Sequence, residues 1–105
     1  MEDFRIIYRV LRSLQTSMDL EEFDPDILSA NNVNLSDPKW SRLMAMLLKE
    51  GYISGGEAWN SIECQYPRVK LTRPEITLKG LEYLEENNLM KKAADLAKGI
   101  IDAVL

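Results

Sequence analysis

The sequence carries start and stop signals for a helix in the middle of the chain, and this helix limits the folds that the chain can adopt. Ser36 or Asp37 can cap its start, and Pro38 suits the first helical turn. Gly51 suits the left-handed position that follows a helix. Tyr52 can then fold back onto the helix, which fixes the direction in which the next segment leaves.

This helix has two different faces. Apolar side chains recur at helical spacing on one face, namely Trp40, Leu43, Met44, Leu47 and Leu48. The residues that point the opposite way are Arg42, Ala45 and Lys49. The second face is either an ordinary solvated surface or the recognition face of a helix that lies in a DNA groove.

The composition is that of one soluble globular domain: 105 residues, of which 46% are hydrophobic and 29% are charged. No stretch approaches the roughly 20 apolar residues that a membrane helix needs. The first residues, MEDFRIIYRV, lack a signal-peptide pattern. We therefore expect a cytoplasmic protein without a membrane partner.

The chain lacks most of the side chains that catalytic and metal sites use, because it has no histidine and only one cysteine, Cys64. An internal disulfide, the usual zinc sites and histidine-dependent nucleophiles are excluded. No glycine-rich phosphate loop is present, and no pair of acidic residues stands in an obvious pocket-forming motif. We predict a protein that is not an enzyme and has no metal, cofactor or small-molecule ligand.

Apolar spacing predicts a first helix over residues 3–17. Its apolar stripe consists of Phe4, Ile7, Tyr8, Leu11 and Leu14. A separate stripe, interpreted as solvated, consists of Arg5, Arg9 and Arg12. Further on, Asp24 can cap a short helix that begins at Pro25. That helix is predicted to end at Asn31 or Asn32.

The stretches YISGG and RVKLTR after the long helix are typical of strands, and the polar stretch between them predicts a hairpin. Alternation along the second strand turns Val69 and Leu71 inward. The outward residues are Arg68, Lys70 and Thr72. The predicted tip lies at Asn60 and Ser61. The aromatic residues interpreted as hairpin packing rather than a ligand cage are Trp59 and Tyr66.

A further helix is predicted after the hairpin. Pro74 is expected to end the second strand, and Thr77 is expected to cap the helix. The apolar stripe of this helix consists of Leu78, Leu81 and Leu84. Asn87 or Asn88 is predicted to close it.

The order of these elements is typical of a winged helix-turn-helix domain. We predict an α+β, mainly helical fold: a single winged-helix domain over residues 1–105, with a core at 1–87 and a C-terminal helix at 88–105. The apolar face of residues 89–105 either docks on the first helix or forms a homodimer interface.

The stretches KEGYI and RPEITLKGLEYLEEN resemble the corresponding part of winged-helix proteins of the YjcQ family, which are small bacterial and phage proteins. The similarity covers roughly residues 37–87. The residues that carry it are Gly51, Tyr52, Ile53, Pro74, Thr77, Lys79, Gly80, Tyr83 and Leu84. The resemblance implies a nucleic-acid or regulatory role and brings no catalytic or cofactor residues.

Charge is unevenly distributed along a chain whose net charge is −4. The two most positive segments, at about +2 and +3, are residues 38–50 and 68–80, which a winged helix presents to a DNA duplex. The predicted contacts to double-stranded DNA are Lys39, Ser41, Arg42, Lys49, Arg68, Lys70 and Arg73. Arg42 can read a guanine edge with two parallel hydrogen bonds, and the hairpin cations would contact phosphates.

The acidic segment at 19–37 supports a different function. It carries six acidic residues without a compensating base, and like charge near a phosphate backbone weakens DNA binding. Its spacing does not fit a calcium-binding loop. The alternative function is therefore a winged-helix protein-interaction module that does not bind DNA, with the acidic segment or the C-terminal helix as its contact surface.

Overall fold

The structure, a computed structural model, describes the backbone of residues 2–95 and the side chains of residues 3–87. Over these residues the chain forms three α-helices, a short 3₁₀ helix and a two-stranded antiparallel sheet. The elements are α1 (Glu2–Ser17), the 3₁₀ helix (Pro25–Leu28), α2 (Asp37–Lys49), β1 (Ile53–Ser61), β2 (Cys64–Ile76) and α3 (Leu78–Asp95). The predicted α+β class is confirmed. Within the described residues, no helix has the length and apolar character that a membrane span requires.

One apolar core joins the three helices to the base of the hairpin. Its buried residues are Ile6, Val10, Leu11, Leu14, Leu28, Leu43, Met44, Leu47, Ile53, Ile76 and Leu84. The predicted first helix is confirmed, but its stripe is placed differently because Ile6 and Val10 lie at its centre. Phe4 is two positions from Ile6, roughly 160° around the helix, and is 58% exposed. The prediction that Phe4 is buried is wrong.

The segment after α1 forms a single 3₁₀ turn rather than a longer helix. Asp24 caps it as predicted, since its Oδ1 accepts the backbone N–H of Asp26 at 3.0 Å. The predicted end at Asn31 or Asn32 is wrong, because the turn stops at Leu28. The indole N–H of Trp40 donates to the Leu28 carbonyl at 2.6 Å, so α2 satisfies an acceptor that a continuing helix would have used.

Helix α2 has the ends that its sequence predicts. The Ser36 hydroxyl accepts the backbone N–H of Lys39 at 3.3 Å. Gly51 follows the helix with a φ of +81°, and the Tyr52 N–H donates to the Leu47 carbonyl at 2.9 Å. This is the Schellman termination that a glycine after a helix favours, and it directs the chain into β1.

The hairpin is longer than predicted and turns at Ile62 and Glu63, not at Asn60 and Ser61. Val69 and Leu71 pack against the core as expected. The exposed residues between and beside them are Arg68, Lys70 and Thr72. The predicted alternation along β2 is therefore confirmed.

Proline does not end β2, because the ladder contains a bulge at this point. Gly55 has a φ of +85°, and a Cβ at this position would overlap the carbonyl of Arg73. The pairing register shifts here, so Pro74 falls in the extra stretch of β2 that has no opposite partner. A residue without an N–H is tolerated in such a bulge. The strand continues to Ile76, and the prediction that it ends at Pro74 is wrong.

Helix α3 starts as predicted but ends later. The Thr77 hydroxyl accepts the Gly80 backbone N–H at 3.1 Å, which confirms the cap. Leu84 is buried, whereas Leu78 is 74% exposed and does not belong to the apolar stripe. The predicted end at Asn87 or Asn88 is wrong, since α3 runs to Asp95. The Asn87 amide donates to the Tyr83 carbonyl one turn earlier, so it does not interrupt the helix.

The predicted homodimer face on residues 89–105 lies outside the part of the chain whose side chains the structure describes.

Candidate nucleic-acid interface

The face of α2 that points away from the core carries three cations and a methionine. These residues are Lys39, Arg42, Met46 and Lys49, all of them exposed. Their spacings of three, four and three residues place them on one side of the helix. The basic face that the sequence predicts for this helix is thus present on its surface.

Ser41 does not belong to this face. It is 8% exposed and lies among the buried residues of α2. The expectation that Ser41 touches DNA is therefore wrong. The reason is its position on the helix, since Ser41 is one residue, or about 100°, from Arg42 and turns toward the protein interior.

Lys39 lies at the start of the exposed face and already has a partner. Its Nζ is 2.6 Å from the Asp3 carboxylate, and both side chains are about half exposed. This ion pair links the first turn of α1 to the first turn of α2. A phosphate at this position would have to compete with Asp3 for Lys39.

A groove of about 680 Å³ separates α2 from the hairpin. Its walls are formed by Arg42, Ala45, Met46, Leu48, Lys49, Ala58, Trp59, Asn60 and Pro67. Among these nine residues none is acidic, and six are apolar. We call this site the α2 groove.

The distal half of the hairpin carries further cations beside the α2 groove. Arg68 pairs across the strands with Trp59, which is 47% exposed and lines the groove. Directly opposite residues share a face of the sheet, so Arg68 lies on the face that carries Trp59. Lys70 pairs with Glu57 on the same face, so its charge stands beside a carboxylate.

Tyr66 connects the hairpin to the exposed face of α2. The Arg42 guanidinium lies 5.9 Å from the centre of the Tyr66 ring, within the range of a cation–π contact. A hydrogen bond with Cys64 is the largest cause that raises the pKa of Tyr66, and the negative charge of Asp37 acts in the same direction. The ring of Tyr66, rather than its ionisation, is what contacts Arg42. The interpretation of Tyr66 as a packing residue agrees with its half-buried position, whereas Trp59 is too exposed for that interpretation.

Arg73 lies elsewhere on the molecule. It lines a smaller cleft of about 240 Å³ between the end of β2 and the segment after α1, together with Glu21. The α2 groove is therefore lined by Arg42 and Lys49 but not by Arg73. Arg68 stands next to the groove through its pairing with Trp59.

The acidic residues that follow α1 stand away from the α2 groove. The 3₁₀ helix contacts α2 through Trp40, whose indole binds the Leu28 carbonyl. Trp40 is two positions from Arg42, which places the two side chains roughly 160° apart around α2. The acidic segment and the exposed basic face thus lie on different sides of this helix.

These features define a small α+β domain in which one exposed helix face stands beside a two-stranded hairpin. The protein-family model described as YjcQ protein matches residues 8–103. The chain therefore belongs to the YjcQ family, which confirms the resemblance seen in its sequence. Comparisons with curated proteins and with solved structures give no match.

The residues that carry the family resemblance meet at one place, which is not the α2 groove. The Thr77 hydroxyl donates to the Gly51 carbonyl at 2.5 Å, and Lys79 Nζ donates to the Glu50 carbonyl at 2.9 Å. The rings of Tyr52 and Tyr83 meet edge to face at 5.5 Å. We call this region, where α2, both strands and α3 converge, the helix–hairpin junction. These contacts are structural, because they bind the two carbonyls that follow α2 and join that segment to the start of α3.

Proposed function

We propose that this protein is a winged-helix DNA-binding protein, a small bacterial or phage-related regulator without catalytic activity that acts in the cytoplasm. In this proposal α2 lies in the major groove and the hairpin is the wing. The observation that supports it is that Arg42 and Lys49 line a groove whose lining contains no acidic side chain, with Arg68 opposite the groove residue Trp59 on the hairpin.

Each cation has a distinct role in this proposal. Arg42 is the reader of a guanine edge, because its planar fork donates two parallel hydrogen bonds and Tyr66 supports it from behind. Lys49 and Arg68 contact phosphates, which gives affinity without sequence preference. Lys70 contributes less than Arg68, since Glu57 lies opposite it on the sheet.

The position of the acidic segment removes one objection to DNA binding. A negative segment close to the duplex would repel phosphates, but the carboxylates that directly follow α1 lie on the other side of α2 from Arg42. At physiological ionic strength, exposed charges are screened beyond about 8 Å. The net charge of −4 is therefore compatible with a locally basic contact surface.

A protein-interaction module that does not bind DNA is the second candidate function. The apolar lining of the α2 groove favours it, because Met46 is 53% exposed and Trp59 is 47% exposed. Tryptophan and arginine are enriched among the residues that dominate protein interfaces.

The decisive experiment measures binding to a fluorescently labelled duplex of mixed sequence by anisotropy while the salt concentration is raised. We expect affinity to fall steeply with salt, since each neutralised phosphate contributes a slope of about −0.9. The double variant Lys49→Ala with Arg68→Ala, which removes both proposed phosphate contacts, should weaken binding by about tenfold or more and make the slope shallower by about two.

The matched control is Arg9→Ala with Arg12→Ala, which removes the same charge from exposed positions on α1. Arg12 lines a cleft formed by α1 and α3, away from the α2 groove. This control should retain most of the affinity. No association of the wild-type protein even at low salt, or equal losses in both double variants, would support the protein-interaction module instead.

A further inference from the structure

The α2 groove has the chemistry of a site for an acidic segment with apolar anchors. Its exposed apolar residues are Met46, which lies between Arg42 and Lys49 on α2, and Trp59 of β1. Its volume of about 680 Å³ is in the range of about 300–1,000 Å³ that is typical of ligand sites. A flexible methionine adapts to apolar side chains of different shape.

The same molecule displays a segment of complementary chemistry. Residues 18–24, which we call the acidic segment, contain two strongly exposed apolar side chains, Met18 at 61% and Leu20 at 60%. The carboxylates among them, all exposed, are Asp19, Glu21, Glu22 and Asp24. The acidic segment therefore combines apolar anchors with negative charge, as the α2 groove combines apolar walls with positive charge.

The two surfaces cannot meet within one copy of the chain. The acidic segment lies against the end of β2, where Glu21 lines a cleft with Arg73 and Pro74. The α2 groove contacts β2 at Pro67. Six strand residues, 68–73, lie between Pro67 and Pro74, so these two points are roughly 20 Å apart.

We infer that the α2 groove binds the acidic segment of a second copy of this chain. Met18 and Leu20 of one copy contact the apolar walls of the groove in the other. Glu21 and Glu22 then face Arg42 and Lys49. This contact is heterologous, because each copy contributes a different surface, so it produces head-to-tail assemblies. The inference does not depend on DNA binding.

Sedimentation velocity over a range of protein concentrations tests this inference. We expect the sedimentation coefficient to rise with concentration at low salt. The association should weaken when salt is raised from about 0.05 M to about 0.5 M, since the contact includes exposed charges. An association that salt leaves unchanged would contradict the inference.

Two charge-reversal variants identify the surfaces. The groove variant carries Arg42→Glu and Lys49→Glu, and the segment variant carries Glu21→Lys and Glu22→Lys. Each variant alone should be monomeric, because the facing charges, at positions 42 and 49 in the groove and at 21 and 22 in the segment, then have the same sign. A mixture of the two should associate again, since every groove then finds a segment of opposite charge in the other variant.

The control variant carries Arg9→Glu and Arg12→Glu on α1 and should associate as the wild type does. All four replaced positions of the test variants are exposed, and circular dichroism checks that each variant is folded. A monomeric wild type at every concentration, or an association that survives both reversals, would overturn the inference. The second outcome would assign the contact to another surface, such as residues 89–105.

Discussion

Two glycines at the helix–hairpin junction are required for different reasons, one for its backbone conformation and the other for lack of space. Gly51 is needed for its backbone conformation, since its φ is +81°. Space is not the reason, because a Cβ there would have no atom within 4 Å. Gly80 lies in α3, where alanine would ordinarily be preferred. Its requirement is space, because a Cβ would lie 2.5 Å from the Tyr52 carbonyl oxygen and 2.6 Å from Ile76.

Replacement of Gly80 by alanine should therefore destabilise the protein. A glycine in a helix interior ordinarily lowers stability by about 0.5–1 kcal/mol relative to alanine, so local propensity alone predicts that the alanine variant is more stable. We expect a net loss of about 1–3 kcal/mol instead, because α3 must move away from the backbone of Tyr52. Urea unfolding followed by circular dichroism measures this change in the free energy of unfolding.

The comparison variants are Gly51→Ala and Gly51→Asn. The alanine should cost about 1–2 kcal/mol for its left-handed backbone, and asparagine should cost less, since it tolerates that conformation better. A Gly80→Ala protein as stable as the wild type would show that α3 can shift without penalty, contrary to our expectation.

At the scale of elements, the ends of helices and strands depend on partners from other elements. The 3₁₀ helix stops where Trp40 of α2 takes the Leu28 carbonyl. Helix α2 ends at Lys49, and the carbonyls of the next two residues, Glu50 and Gly51, are bound by Lys79 and Thr77 at the start of α3. One short segment thus caps the start of its own helix and fixes the residues that follow another helix.

This double role predicts that Thr77→Ala costs more than the loss of one ordinary cap. A cap removal costs about 1 kcal/mol, and loss of the second hydrogen bond adds about 0.5–1.5 kcal/mol. Thr77→Ser retains the hydroxyl and should recover most of the stability. Thermal and urea unfolding of both variants measure the difference.

The matched comparison is Ser36→Ala at the start of α2, where the hydroxyl accepts a single backbone N–H. Equal losses for Thr77→Ala and Ser36→Ala would indicate that the bond to the Gly51 carbonyl contributes nothing. Such a result would reduce the helix–hairpin junction to a simple helix cap.

At the scale of the whole molecule, charge is divided between opposite sides. The acidic segment lies near the end of β2, and the α2 groove lies beside the distal half of the hairpin. A chain with a net charge of −4 therefore presents one side to anionic partners. Both proposals, DNA binding and head-to-tail association, use Arg42 and Lys49 on that side.

Shared use of these cations predicts competition. If both proposals hold, excess duplex DNA should dissociate the head-to-tail assemblies, because phosphates and the acidic segment cannot occupy the α2 groove together. Sedimentation of labelled duplex with increasing protein measures how many copies each DNA-bound particle contains. DNA that binds without changing the protein assemblies would place one of the two contacts on a different surface.

Local patterns in the sequence determined the element order, the ends of α2 and the caps of the 3₁₀ helix and α3. Capping hydroxyls, a left-handed glycine and helical periodicity act within a few residues, so they can be identified without coordinates. The alternation of Val69 with Arg68 and Lys70 was also determined locally, since side chains along a strand alternate by geometry.

Tertiary contacts decided the rest. The bulge at Gly55 changes the pairing register, so the position of Trp59 opposite Arg68 could not be obtained by counting along the strands. Ser41 faces the core because α2 rotates to bury Leu43, Met44 and Leu47, an outcome that depends on every element packed against it. Helix caps and the glycine termination of α2 follow from neighbours in sequence, whereas the contact of Arg42 with Tyr66 of the hairpin required distant parts of the chain to pack together.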